Sequence, residues 1–262
     1  MYNQIAHYYD LTHDHLADDV ALVLALAQAA DGPVLELGCG SGRLLRPLAR
    51  AGFSVTGVDH SPVMLARAQA RFAEEETAVR QRITLVAGDM TDLLLPDNTK
   101  FSLAIIPYNT LLHLDSDQTA LALRGIRRVL AGNGRLFIDL INPLAIASTP
   151  NDQTVTLETT FTDPANGHTV LQMAANRLDE AAQTLHITWI YDASPPEGGP
   201  IHRTIAQADY HYLYPHQLEL LLQEAGFRLH SLTGSYDGDP FDEESERLLI
   251  LAQFAAQKKP GL

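Results

Sequence analysis

Four strand-like stretches end in residues that can hold a small polar ligand. In the first, Val34-Leu35-Glu36-Leu37-Gly38-Cys39-Gly40-Ser41-Gly42-Arg43, an apolar run carries an acid, and three glycines then alternate with small residues. Glycine takes positive φ and has no side chain, so such a loop lets backbone press against a ligand. The spacing is G-x-G-x-G. The dinucleotide fingerprint needs a small residue one position later, and that position is Arg43. No G-K-[ST] step follows. The acid just before the first glycine suits a cationic amine better than a pyrophosphate.

The second stretch, Phe53 to Pro62, reads as a strand ending in Asp59. It lies about 20 residues after the glycine loop, where a carboxylate can accept both hydroxyls of a ribose. Ser61 and Pro62 then predict a helix start, with Ser at the N-cap and Pro at N1. Met64 falls on its first turn and can pack on a purine. The third stretch, Ile83 to Met90, ends in Gly88 and Asp89, an acid suited to an exocyclic amine such as adenine N6. The fourth, Phe101 to Asn109, runs out into an aromatic and polar loop with Tyr108 and Asn109. In open parallel sheets, ligands bind at the carboxyl ends of strands.

Taken together, Glu36 to Gly42, Asp59 to Leu65 and Gly88 to Met90 resemble the class I S-adenosylmethionine-dependent methyltransferases. The likeness covers residues 1–142 and, less fully, 210–256. The start, Tyr2 to Asp10, resembles a Tyr-rich N-terminal helix of the family's small-molecule members, where it lies over the cofactor. The resemblance implies S-adenosylmethionine as cofactor, with Glu36 at its methionine amino group and Asp59 at its ribose. It places Gly38, Cys39, Gly40 and Gly42 in the cofactor loop and Arg43 near the carboxylate. Gly88 and Asp89 would meet the adenine, with His60, Met64 and Met90 beside it and Tyr2 above. No metal is implied, and the histidines and acids His7, Asp10, His13, Asp14 and His15 match no ligand spacing.

Methyl transfer is an in-line displacement from a sulfonium, so Cys39 is not needed as a nucleophile. The enzyme must align the acceptor, take its proton where necessary and keep water out. Candidates are Tyr9, Tyr108, Asn109 and His113, with His113 as the general base if one is used. Tyr210, Tyr212 and Tyr214 fall on one face of an expected strand and either line the acceptor pocket or pack the insert. Resemblance to glycine-type and sugar N-methyltransferases tilts the acceptor toward nitrogen, with oxygen still open. Two rivals remain: a noncatalytic protein that binds S-adenosylmethionine or its product, and an aminopropyl transferase. The latter predicts paired acids in the fourth-strand loop, which Pro107-Tyr108-Asn109-Thr110 lacks. A nicotinamide oxidoreductase is disfavoured by Arg43.

These residues need an α/β frame. Strands near 33–37, 53–58, 83–87, 101–106 and 134–141 alternate with helices near 43–51, 62–76 and 117–130, after helices at 2–10 and 17–30. That alternation predicts a Rossmann-like, mostly parallel sheet with right-handed crossovers. Gly132-Asn133-Gly134 reads as the turn into the last of these strands. Residues 151–214 alternate at period two, with a hairpin signal at Asn166-Gly167. They predict an antiparallel β-insert of three or four strands, a lid or dimer surface. Residues 1–150 and 215–262 then form the cofactor domain, closing with a helix from Pro215 and an edge hairpin, Phe227 to Tyr236 and Arg247 to Phe254, whose last strand is antiparallel. Lys258 to Leu262 read as a frayed tail.

The chain has 262 residues and a formal net charge of −14, with no basic run. Phosphate-backbone binding depends on basic residues, so a small molecule is expected as partner rather than nucleic acid. The apolar run Val20 to Ala30 is too short to span a bilayer. A single Cys39 excludes an internal disulfide and suits a reducing cytoplasm. Exposed insert strands would favour a homodimer. The acidic segment Asp237 to Glu246 lacks calcium-loop order and reads as a solvated connection.

Overall fold

The computed structural model describes residues 2–96 and 99–254. Helices α1 (Tyr2–His13) and α2 (Asp18–Ala30) precede β1 (Val34–Leu37). Then follow α3 (Leu45–Arg50), β2 (Val55–Asp59), α4 (Pro62–Ala73), α5 (Thr77–Arg80), β3 (Ile83–Ala87), β4 (Phe101–Ile106), α6 (Ser116–Val129) and β5 (Leu130–Ile141). After α7 (Pro143–Ala147) come β6 (Thr156–Thr162), β7 (Thr169–Asp179), β8 (Thr184–Ser194) and β9 (His202–His211). The chain closes with α8 (Pro215–Glu224), β10 (Phe227–Thr233) and β11 (Arg247–Phe254).

The main sheet has seven strands in the order β10-β11-β5-β4-β1-β2-β3, and β11 runs antiparallel to both its neighbours. The remaining pairs are parallel. β1 and β4 read as nearly unbroken apolar runs because both their faces are covered. On β4, Leu103 and Ile105 pack with Val23 and Ala27 of α2 and Leu48 of α3. Ala104 and Ile106 turn to the other face, with Leu123 and Ile126 of α6 and Leu218 and Leu222 of α8. Period-two alternation therefore sends each strand's residues to two separate cores.

Residues 156–211 form a separate antiparallel sheet in the order β6-β7-β8-β9. Its inner face sets Val170, Tyr191, Ala193 and Ala206 against Ile5 and Tyr8 of α1. Leu178, Leu185 and Ile187 join the core of the main sheet.

Several expected boundaries move. Helix α1 runs on to His13, and α3 begins at Leu45, so Arg43 belongs to the turn before it. Gly132-Asn133-Gly134 lies inside β5, not in a turn ahead of it. Pairing with β4 steps from Phe101↔Leu130 to Leu103↔Arg135, so the extra residues of β5 bulge out within the strand. β9 stops at His211, because the chain must turn into α8 at Pro215. Tyr212 and Tyr214 therefore do not share a strand face with Tyr210: Tyr212 is buried in the core, and the Tyr214 backbone caps α8. The expected tail, Lys258 to Leu262, lies outside the described residues.

Candidate functional site

The ends of β1, β2, β3 and β4 open onto a cavity of about 460 Å³. Gly38 and Gly40 floor it, Val58, Asp59, His60 and Met64 form one side, and Gly88, Asp89 and Met90 another. Tyr108, Thr110, His113 and Leu114 follow β4, Tyr2 and Tyr9 come from α1, and residues 207–209 and His211 come from β9.

The glycine loop bends as its sequence demands. Gly38, Gly40 and Gly42 all have positive φ, at 71°, 54° and 84°. A Cβ at Gly38 would run into Thr110, and one at Gly42 into the ring of Phe72. One at Gly40 would meet no atom of the described residues within 4 Å, its chain neighbours aside. Gly38 and Gly42 are thus glycines for packing, whereas the space beside Gly40 is open.

Asp59 ends β2 with both oxygens already oriented. Oδ2 accepts from the Gly40 N–H at 2.8 Å, and Oδ1 accepts from the Ser61 N–H at 2.8 Å. Each oxygen keeps a lone pair, so the carboxylate can still accept two hydroxyls of a diol. Ser61 caps α4 by accepting from Met64 N–H, and this buries Met64 on the cavity wall. Asp89 uses Oδ1 on Thr91, accepting from its N–H and its hydroxyl at 2.8 Å each.

Glu36 lies beneath the loop rather than among the lining residues. It is buried, and its Oε2 has no hydrogen-bond partner among the described residues. Burial pushes its pKa up to about 8, against the pull of the Arg43 cation. An unpaired carboxyl oxygen is costly inside a protein, and an ammonium is the group that would satisfy it.

Aromatic rings close the cavity. Tyr2 and Tyr9 meet edge to face at 5.3 Å, and Tyr9 stacks on His13 at 3.9 Å, which meets Tyr108 edge-on at 5.5 Å. On the other side, the Tyr2 hydroxyl and His113 Nε2 lie 2.9 Å apart, and His113 meets Tyr210 at 5.1 Å. Burial pushes the His113 pKa down to about 4, with His60 and His211 adding to the shift. Burial pushes Tyr210 up to about 12 and raises Tyr2 and Tyr9 as well.

Two expected site residues have other work. Arg43 does not line the cavity; its guanidinium forks onto Asp19 at 2.7 and 2.6 Å and donates to the Leu16 carbonyl. Asn109 is also absent from the lining. Its Oδ1 accepts from Ile141 N–H at 2.6 Å and from Arg247 at 3.3 Å, so it ties β4 to β5 and β11. Cys39 and Gly42 are packing residues of the loop, not lining ones. The N-terminal histidines and acids disperse as well: His7 pairs with Asp163, while Asp10 takes Ser41, Arg67 and Arg71.

Sequence reading missed Thr110, which braces Gly38, and, on the strand where it offered Tyr210, the lining residues Gln207, Asp209 and His211. It also missed a row on the inner face of the insert. Gln172 donates through Nε2 to Glu158, and among the described residues its buried Oε1 has no partner, nor does Asn176 Oδ1. Glu158 sits where β6 slips register between Leu157↔Met173 and Thr159↔Gln172, a bulge that turns its carboxylate toward Gln172. Only the pairing register reveals that these residues share a face.

A parallel sheet with one reversed strand, a glycine loop over an orphaned carboxyl and an aspartate with free lone pairs at the next strand end are the arrangement that the resemblance to class I S-adenosylmethionine-dependent methyltransferases implies. The open space at Gly40 and the unpaired Glu36 oxygen fit that cofactor. Comparisons with known proteins support an S-adenosylmethionine-dependent methyltransferase. Residues 34–134 match the methyltransferase domain family. The chain is 27% identical to the putative methyltransferase YqeM of Bacillus subtilis (strain 168), over 85% of this chain and 84% of that protein. It is 26% identical to the cypemycin N-terminal methyltransferase of Streptomyces sp, over 94% of each. The solved structure of the CcbJ methyltransferase from Streptomyces caelestis superposes with a TM-score of 0.81 at 27% identity, covering 97% of both chains. Among the described residues, no helix is long and apolar enough to cross a membrane.

Proposed function

We propose that the chain transfers the methyl group of S-adenosylmethionine to the nitrogen of a small-molecule amine. The observation that carries this reading is the protonation state of the groups facing the reacting end of the cavity. His113, with a pKa near 4, is neutral and weakly basic. The hydroxyls of Tyr2, Tyr9 and Tyr210 are all held in their protonated form. An imidazole this weakly basic and protonated tyrosines are poorly matched to taking a proton from an alcohol at neutral pH. A neutral amine attacks through its own lone pair and requires no base until the new bond has formed. The cypemycin relative, whose name specifies an N-terminal acceptor, agrees with this direction.

When bound, S-adenosylmethionine supplies a methyl group already activated on a sulfonium. In this reading Glu36 takes the amino group, Asp59 the ribose hydroxyls and Asp89 the adenine edge, with Met64 and Met90 against the purine. Gly40 leaves the room. Tyr2, Tyr9 and Tyr108 wall the reacting end, where aromatic faces favour a cation and exclude water. His113 and Tyr2 orient each other and the acceptor, so His113 acts as a hydrogen-bonding wall and not as the base. The insert, residues 151–214, covers the acceptor side of the domain formed by 1–150 and 215–262. Of the insert, Gln207, Asp209 and His211 line the cavity and would meet the acceptor.

The test is transfer of a deuterated methyl group to amines and alcohols of matched carbon skeleton, read by mass spectrometry. Methylation of amines alone is expected, at a rate that rises with pH as the amine loses its proton. His113→Asn should leave that pH profile in place. Comparable transfer to the alcohols, or a profile that follows His113, would overturn the nitrogen assignment.

A further inference from the structure

We propose that Asp139 and Arg247 are positioning residues for methyl transfer that act through Tyr108; the inference rests on the cavity being the methyl-transfer site. Tyr108 and Asn109 are consecutive residues with φ of 41° and 67°. Left-handed backbone is unfavourable for an L-residue such as tyrosine, and such strain persists only where the surroundings over-determine it. Here the surroundings are Asp139, which is wholly buried on β5. Its carboxylate accepts from Arg247 through Nε at 2.9 Å and through Nη2, from the Tyr236 hydroxyl at 3.0 Å and from the Tyr108 N–H at 3.3 Å. Its carbonyl accepts from the Asn109 N–H at 2.9 Å. Arg247 then reaches Asn109 Oδ1 and lies 5.2 Å from the centre of the Tyr108 ring.

One carboxylate thus holds the backbone of the strained turn and the cation lying against its ring. On the other side Arg43, fixed by Asp19, lies 5.8 Å from the same ring. Tyr108 is the member of this network that lines the cavity. A buried ion pair is a poor device for stability, because apolar residues of the same volume do as well or better. Placed at a strained turn on the cavity rim, the pair fixes the direction in which Tyr108 presents its hydroxyl.

The test uses the full chain labelled with 3-fluorotyrosine and followed by fluorine NMR, with S-adenosylhomocysteine as the probe. Tyr108→Phe, Tyr2→Phe and Tyr9→Phe identify three of the nine tyrosine lines. In the parent protein, the Tyr108 line is expected to be sharp and to shift when the probe binds. In folded Asp139→Asn and Arg247→Lys, that line should split or broaden and lose its response, while Tyr2 and Tyr9 still respond. Affinity for the probe should weaken only about threefold to tenfold, as for residues coupled to a site they do not touch. Tyr236→Phe removes one hydrogen bond without unpairing a charge, and serves if the charge variants do not fold; it should broaden the line partially. An unchanged Tyr108 line and response in folded variants would make the pair purely structural and overturn the proposal. If no tyrosine of the parent protein responds to the probe, the reading of the cavity itself falls, and this inference with it.

Discussion

Glu36 is a carboxylic acid held protonated near neutral pH until a cation reaches it. Its pKa of about 8 lies above the ordinary value of 4.5 because it is buried. The folded protein therefore binds more protons than the unfolded chain between those values, and stability falls as pH rises from about 4.5 to about 8. Glu36→Gln should flatten this slope in thermal melts of the unliganded protein. Pairing with an ammonium would ionise the group. Calorimetric titration with S-adenosylhomocysteine at pH 7, in buffers of different ionisation enthalpy, should then report release of close to one proton per site. The release should fade above about pH 9, and Glu36→Gln should abolish it. A binding heat independent of buffer would show that Glu36 stays neutral and does not pair with the amino group. His113 contributes with the opposite sign. Its pKa is lowered from 6.5 to about 4, so its share of stability is lost as pH falls through that window. The placement of Glu36 and Asp59 was legible because Glu36 lies one residue before the end of β1 and Asp59 closes β2, each in a distinct local pattern. Arg43 and Asn109 were not, because their partners, Asp19 and Arg247, lie 24 and 138 residues away and nothing local announces them.

At the scale of elements, the glycine loop makes a distinction its spacing conceals. All three glycines need left-handed backbone, yet only Gly40 faces free space. Gly38→Ala and Gly42→Ala should destabilise the fold itself, because the added methyl collides with Thr110 or Phe72. Gly40→Ala should carry mainly the backbone cost, about 1–2 kcal/mol, while filling the room a ligand needs. Comparing melting temperature with S-adenosylhomocysteine affinity across the three variants separates the cases. Gly40→Ala should lose at least about tenfold in affinity for a smaller loss of stability than either neighbour, since one displaced contact of 1.4 kcal/mol is a factor of ten. Equal losses of stability in all three would remove the assignment. The parallel strands were legible from continuous apolar runs, and the insert from its alternation. The interior of β5 was not: its Gly-Asn-Gly sequence carries turn chemistry, and only the register against β4 shows that it is spent on a bulge. Tyr212 and Tyr214 misled for a related reason, since period two continues on paper past the point where β9 has ended.

In the whole molecule, α1 is one of the ties between the two sheets, beside Leu178, Leu185 and Ile187 in the main core. Asp10, buried on its inner side, binds Ser41 of the glycine loop at 2.6 Å and both Arg67 and Arg71 of α4. Asn3 accepts from Ser61 at 2.6 Å. Toward the insert, His7 pairs with Asp163 at 2.8 Å and Tyr8 stacks on Tyr191 at 4.8 Å. The helix was legible as a Tyr-rich segment, but its anchorage was not, because Asp10 read as one acid among several. Asp10→Ala removes the buried partner of Ser41 and Arg67, while Arg71 keeps Asp14, and should lower stability by about 1–3 kcal/mol, measured by denaturant unfolding. It should also speed the escape of S-adenosylhomocysteine, followed by stopped-flow fluorescence of the single tryptophan, Trp189. An unaltered escape rate would mean that ligand leaves by a path that does not disturb α1. If the rate does rise, one carboxylate sets a clock. Every cycle exchanges a spent cofactor for a fresh one behind Tyr2 and Tyr9, so the tempo of the enzyme would be written in the grip of Asp10 and not in the methyl transfer.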